Sequence, residues 1–141
     1  MKIFNIMLAK GLGGIEQVFL DYTKALSDIG HSITSIHHPG SALKEKITGE
    51  RRSLYNLNKY DLLAIYRLKR YCLKDKPDCV ITHGNRATTL FRKTNLKIPH
   101  IAVCHNYQVK PLIGSDALVT ITEDIKSHVV SLGQPAEDTY V

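Results

Sequence analysis

Short apolar runs alternate with amphipathic stretches along nearly the whole chain, and this alternation limits the fold more than any other feature. Residues 2–8, KIFNIML, form an apolar run with β-branched members. From Gly14 onward the apolar positions are Ile15, Val18, Phe19, Tyr22, Ala25, Leu26 and Ile29. Their steps of three and one trace a single stripe of an α-helix. Gly30 follows, where a glycine past a helix end belongs. SITSIHH (32–38) reads as a second strand, ended by Pro39-Gly40. Residues 41–58 are polar, basic and irregular, with SLYNL as a candidate short strand. Residues 60–74 repeat apolar positions at Leu62, Leu63, Ile65, Tyr66, Leu68 and Tyr71–Cys72, which predicts a helix with a basic side. Pro77-Asp78 leads into CVITHG, a strand; residues 86–93 read as a short helix; HIAVCH and DALVTIT (116–122) read as strands. EDIKSHVVSL is a helix whose first-turn acids suit its dipole, closed by Gly133 and Pro135. The terminal TYV starts one more strand.

Apolar strands separated by helical patterns imply an α/β fold, with a Rossmann-like, doubly wound, mostly parallel sheet and helices on both faces. A chain of 141 residues suits one such domain with a real core. Ligands of these sheets gather outside the carboxyl ends of the strands. Those ends carry Lys10–Gly14, His37-His38, His83–Arg86, His105–Tyr107 and Thr122-Glu123. Polar and histidine side chains thus recur along one predicted edge.

Composition excludes some function classes. Hydrophobic residues make up 43% and charged residues 23%, the balance of a globular domain. No run is long enough to span a bilayer, and the N-terminal apolar run reads as a strand, not a signal peptide, so a cytoplasmic location is expected. Cys72, Cys79 and Cys104 lack CxxC spacing and read as reduced, mostly buried thiols. No histidine or cysteine pair has zinc-like spacing, so no metal is expected. The net charge of +6 is concentrated: ten basic and four acidic residues lie between Lys44 and Lys76, and the remainder is neutral. That segment is either a solvated helix face with a basic loop or a patch for an anionic membrane surface or acidic glycolipid, with Arg51, Arg52, Arg67 and Arg70 as its candidates. No aromatic stacking platform accompanies it, so nucleic acid is not an expected partner.

The first strand runs into GLGGIEQVF (11–19). A dinucleotide fingerprint needs a third glycine where Glu16 stands, and an acid at the end of the second strand, where His37-His38 stand. A phosphate-binding P-loop needs GK[ST], and Ile15-Glu16 does not supply it. Two readings remain. Gly13 and Gly14 could leave backbone N–H groups open at a helix N-terminus, for a phosphate or a sugar hydroxyl. Alternatively they form a strand–helix turn that needs positive φ.

The ordered motifs resemble one family. GLGGIEQVFLDYTKALSDIGHSITSI resembles the opening of the N-terminal domain of family 4-like retaining glycosyltransferases of the GT-B fold: Gly13-Gly14-Ile15-Glu16 fits its GGxE, Val18–Leu20 its helix pattern, and Gly30-His31-Ser32-Ile33 its lead into the next strand. DCVITHGNRATTLF, IPHIAVCHNY and DALVTITEDIKSHVVSLGQPAEDTYV resemble the family's later strands, in order. The match is weakest over 40–75. The resemblance implies that residues 1–141 are a single acceptor-binding domain, the N-terminal half of a GT-B fold. The donor-binding domain then lies outside this chain, which on its own is inactive. The donor-side E-x7-E pattern is absent: eight positions on from Glu16, Glu45, Glu50 and Glu123 stand Lys24, Ser53, Asn58 and Ser131. It further implies retaining transfer of a sugar from a nucleotide-sugar donor to a saccharide or glycolipid acceptor, in cell-envelope polysaccharide or lipopolysaccharide synthesis, at the inner face of a membrane. No tightly bound cofactor is implied. Gly13, Gly14 and Glu16 match the donor-phosphate or acceptor loop. His105 matches a histidine near the transferred sugar, a catalytic position. His83, Asn85, Arg86, Tyr107, Thr122 and Glu123 match the acceptor side; Thr122 replaces the family's serine. A non-catalytic nucleotide- or sugar-binding module and a membrane-surface interaction domain are the alternatives.

Overall fold

In the computed structural model, which describes residues 1–11 and 13–141, every strand runs parallel to its neighbours. The strands are β1 (Lys2–Met7), β2 (Ser32–His37), β3 (Glu50–Ser53), β4 (Cys79–His83), β5 (His100–Cys104), β6 (Ala117–Thr120) and β7 (Thr139–Tyr140). The helices are α1 (Gly14–Asp28), α2 (Leu62–Asp75), α3 (Gly84–Arg92) and α4 (Glu123–Ser131), with short 3-10 turns at Ala42–Glu45, Lys110–Leu112 and Ala136–Asp138. The sheet order β3-β2-β1-β4-β5-β6-β7 reverses direction between β1 and β4. That reversal is the switch point where such sheets open a crevice.

The pleat sorts side chains between two faces, because successive residues of a strand point opposite ways. Phe4, Ile6, Ile36 and Val80 pack with Ala64, Leu68 and Cys72 of α2 and with Ala87, Leu90 and Phe91 of α3. Ala102, Cys104 and Leu118 pack with Ile125 and Val129 of α4. Ile3, Ile33, Ile81 and Val103 turn to the opposite face, toward Tyr22 and Leu26 of α1. Met7, Phe19, Leu43 and Ile47 complete that second cover. All three cysteines are buried and unpaired. Burial, with Asp75 adding to it, raises the Cys72 thiol to about 12, so it is a packing residue and not a nucleophile.

Three boundaries differ from expectation, each for a physical reason. SLYNL is not a strand: pairing with β2 is made by Glu50–Ser53, and Leu54 then dives into the core. An edge strand with a mostly exposed face needs charge more than hydrophobicity, so ERRS carries it. The strand expected at 116–122 stops at Thr120, because the Thr122 hydroxyl caps α4 by accepting from the Ile125 N–H at 3.2 Å. In α2, Asp61 caps the start by accepting from the Leu63 and Ala64 N–H groups. Of its expected apolar stripe only Leu68 and Cys72 are buried, joined by Ala64, which the stripe did not include; Leu62, Leu63 and Tyr66 are 80%, 56% and 56% exposed.

Candidate functional site

The carboxyl ends of β1, β4 and β5 meet at a cavity of about 180 Å³, lined by Met7, Ala9, Ile15, His83, Gly84, Asn85, Arg86, Cys104, His105 and Asn106. Larger hollows lie elsewhere, between β3 and α2 and around Arg92 and Asp116. The smaller cavity stands out because polar groups at the ends of β4 and β5 converge in its wall.

The local fold dictates that convergence. Asn5 is a fully buried polar residue among the apolar side chains of β1. Its Nδ2 donates to the Phe19 carbonyl at 3.1 Å and to Thr23 Oγ1 at 3.0 Å, which ties β1 to α1. Thr23 Oγ1 lies 3.2 Å from Ser35 Oγ on β2. Asn5 Oδ1 lies 2.9 Å from His83 Nε2, and His83 Nδ1 lies 3.3 Å from His105 Nε2. A line of polar contacts therefore runs beneath α1 from β2 to the tip of β5. Phe19 and Tyr22 meet the His83 ring edge-on at 5.5 and 5.1 Å. Enclosure of this kind disfavours the imidazolium: burial, with His105 adding to it, lowers the His83 pKa to about 3. His105 is only half buried. Burial lowers its pKa too, while the Glu16 carboxylate opposes that shift.

The glycine loop departs from one of the two sequence readings. Gly13 is the residue before α1, with an extended φ of −166°, and neither Gly13 nor Gly14 lies in the left-handed region. A turn demanding positive φ is therefore not the reason for these glycines. Glu16 is buried and its carboxylate folds back under the loop. A Cβ on Gly13 would come within 3.3 Å of Glu16 Oε2, and one on Gly11 within 3.7 Å of Oε1. Around Gly14 a Cβ would meet nothing within 4 Å. The loop is thus shaped by the space its own glutamate takes.

Among the candidates, His83, Asn85, Arg86 and His105 share the cavity wall. Arg86 also reaches Asn56 Oδ1 at 3.4 Å. Tyr107, Thr122 and Glu123 are gathered instead beside the start of α4, all exposed. The Tyr107 hydroxyl donates to Asp124, and its ring packs 5.7 Å from that of His128. The four candidate arginines also divide. Arg52 pairs with Asp75 at 2.7 Å and Glu50 at 3.7 Å and lies over the Tyr71 ring, so its charge is internally answered. Arg51 is exposed and donates to the Lys44 carbonyl. Arg67 and Arg70 stand exposed on α2 beside Leu63 and Tyr66.

Two functional residues were absent from the sequence reading. Asn5 could have been found as the one buried polar residue inside KIFNIML. Gly84 carries φ +78° directly after His83, which turns the chain from β4 into α3 beneath the cavity. Nothing in its sequence context distinguishes it from an ordinary helix-start glycine. Among the described residues no group of three His, Cys, Asp or Glu side chains could hold a metal ion, and no helix is long and apolar enough to cross a membrane.

Comparison with known proteins bears on this geometry. The sequence profile of Glycosyltransferase Family 4 matches residues 12–141. No curated protein matches the chain. Among solved structures, the whole chain superposes on 45% of the lipopolysaccharide outer core galactosyltransferase WaaB at 18% identity and a TM-score of 0.76. It also superposes whole on 43% of Anabaena HepE in complex with UDP, at 13% identity and a TM-score of 0.79. A third is the UDP-GlcNAc 2-epimerase of Methanocaldococcus jannaschii in complex with UDP-GlcNAc and UDP, of which 46% is covered at 16% identity and a TM-score of 0.78. The chain thus spans less than half the length of these structures, and identities this low speak to the fold alone.

Proposed function

This chain belongs to Glycosyltransferase Family 4, and from that premise we propose that it is the acceptor-side domain of a retaining sugar transferase. The donor is a nucleotide-sugar, presented by a donor-binding domain across a cleft. The acceptor is a saccharide or glycolipid of cell-envelope polysaccharide or lipopolysaccharide synthesis. The galactosyltransferase and the UDP-bound structures that share the fold support the donor class.

In this reading His105 contacts the hydroxyls of the transferred sugar, and His83, Asn85 and Arg86 line the acceptor side. Gly13 and Gly14 let the donor diphosphate or the acceptor approach the start of α1, whose N–H groups favour negative charge there. Stabilising the leaving diphosphate in the transition state is the principal catalytic task. The nucleotide-sugar is substrate, and the reaction calls on no resident cofactor. The exposed leucines and tyrosine of α2, with Arg67 and Arg70, rest on an anionic membrane surface, where a glycolipid acceptor would be met.

The observation that carries the reading is the half-buried His105 at the sheet edge, held by a buried, uncharged His83. The test is His105→Ala in the full-length enzyme. Loss of one group that binds in the transition state should lower kcat/KM about a hundredfold. The unfolding midpoint should stay close to that of the parent. Unchanged turnover would remove His105 from the mechanism.

A further inference from the structure

We propose that Asn5 is a positioning residue: through His83 it sets the tautomer of His105, so that His105 presents an unprotonated Nδ1 and takes a hydroxyl donor there, not a phosphate oxygen. The inference rests on the reading that His105 meets a substrate sugar.

The argument follows protons from the core outward. The Phe19 carbonyl can only accept, so the Asn5 atom 3.1 Å from it must be the amide nitrogen. Asn5 Oδ1 is therefore the atom 2.9 Å from His83 Nε2, and an amide oxygen can only accept. His83 must donate from Nε2. Burial keeps His83 neutral, so its ring carries one proton and Nδ1 holds a lone pair. That lone pair faces His105 Nε2 at 3.3 Å. Two lone pairs would repel, so His105 donates from Nε2. The two rings are tilted by only 22°, with centroids 5.5 Å apart, so they meet edge to edge through these nitrogens. A neutral His105 then has no proton at Nδ1, which has no hydrogen-bond partner among the described residues.

The chemical consequence is selective. An imidazole lone pair accepts from a sugar hydroxyl and has nothing to offer an anionic oxygen. The Glu16 carboxylate, whose charge bears on His105, further disfavours an anion there. Without Asn5, either tautomer of His83 would do, and His105 could present a donor or an acceptor.

Long-range 1H–15N correlation spectra of the 15N-labelled chain, recorded at pH 7.5 without ligand, read the tautomers directly. Both rings should carry the proton on Nε2, with Nδ1 unprotonated. A proton on Nδ1 of either His83 or His105 would overturn the proposal. Asn5→Ala, and separately His83→Phe, which keeps an aromatic ring in the cage, should each turn the single His105 tautomer into a mixture. A folded Asn5→Ala variant that keeps the single tautomer would sink the role of Asn5. If neither variant folds, the unsubstituted spectrum decides. Added inorganic phosphate should leave the His105 Nδ1 resonance in place; a shift on phosphate would overturn the hydroxyl preference. These spectra involve no sugar. A reversed tautomer alongside a damaged His105→Ala enzyme therefore defeats this inference and leaves the transferase reading standing. The expected tautomer with an undamaged His105→Ala enzyme does the reverse.

Discussion

At the carboxyl edge of β1, β4 and β5 the protein buries polar side chains and joins them; on the outer side of α2 it leaves apolar side chains in water. Asn5, Thr23, Ser35 and His83 are all buried and joined in series, Ser35 to Thr23 to Asn5 to His83. Leu57, Tyr60, Leu62, Leu63, Tyr66 and Leu73 are all more than half exposed. Each arrangement opposes what residue type alone favours. A buried polar group is tolerated only when partnered, so the first region must be rigid and specific. An exposed apolar cluster flanked by arginines is tolerated when another surface shares it, so the second suits contact with something larger.

The sharpest way to break this contrast is a pair of truncations. Phe4 is fully buried between the sheet and α2, and Phe4→Ala should destabilise the domain by about 3–5 kcal/mol. Leu62→Ala, at 80% exposure, should cost no more than about 0.5 kcal/mol. Denaturant titrations of both decide it. If Leu62→Ala proved as costly as Phe4→Ala, the face of α2 would be part of the core and not a docking surface.

Acid should expose the second difference. Burial lowers His83 to about 3, and burial with Arg92 lowers His100 to about 4, from an ordinary 6.5. Folded values lie below unfolded ones, so below pH 6.5 the unfolded chain binds protons that the folded chain refuses. Stability is therefore complete above about pH 6.5 and is lost as pH falls toward 4. Between pH 6 and pH 5 the loss should be about 2 kcal/mol for the two histidines together. Segment 50–75 has no histidine to contribute. Thermal unfolding across this range, repeated with His100→Gln, should show a shallower slope in the variant; an unchanged slope would mean that His100 is not held neutral.

The smaller effects concern surfaces. With one basic residue near an anionic bilayer worth about 1 kcal/mol, Arg67→Gln with Arg70→Gln should weaken binding to anionic vesicles about thirtyfold. Binding should also fall with added salt and be absent on neutral vesicles. Arg52→Gln should change stability more than binding, because Asp75 already answers its charge. Equal vesicle binding by the double variant would leave α2 as a merely solvated face. Last, Gly13→Ala must displace the Glu16 carboxylate and should cost about 1 kcal/mol. Gly14→Ala meets open space at a helix start and should be neutral or stabilising by up to about 1 kcal/mol. Calorimetry on the two variants separates them; equal responses would mean that Glu16 does not shape the loop.

Much of the fold was legible before any coordinates. Short apolar runs, helical stripes and end signals located β1, β2, β4, β5, β6 and all four helices, since each element must bury apolar side chains in a core. β3 was misplaced because a charged edge strand has no such face to display. The candidate site was legible only in part. His83 and His105 stood out as polar ends of apolar strands. Asn5 passed unremarked among its apolar neighbours, and Gly84 looked like any glycine. Nor did the apolar positions listed for α2 show that Leu62 and Leu63 face outward: hydropathy records what a side chain prefers, not what lies opposite it.

Local order along the chain was enough to determine a parallel α/β sheet, its polar edge and a family resemblance, because strand and helix periodicity and short motifs are properties of consecutive residues. Tertiary structure alone decided which polar residues touch. Asn5, His83 and His105 are far apart in sequence and lie in β1, in β4 and just past β5, strands that become neighbours only when the sheet order is set. It also decided that Gly13 is there to make room for Glu16, because a steric conflict between a backbone position and a folded-back side chain exists only once both have been placed.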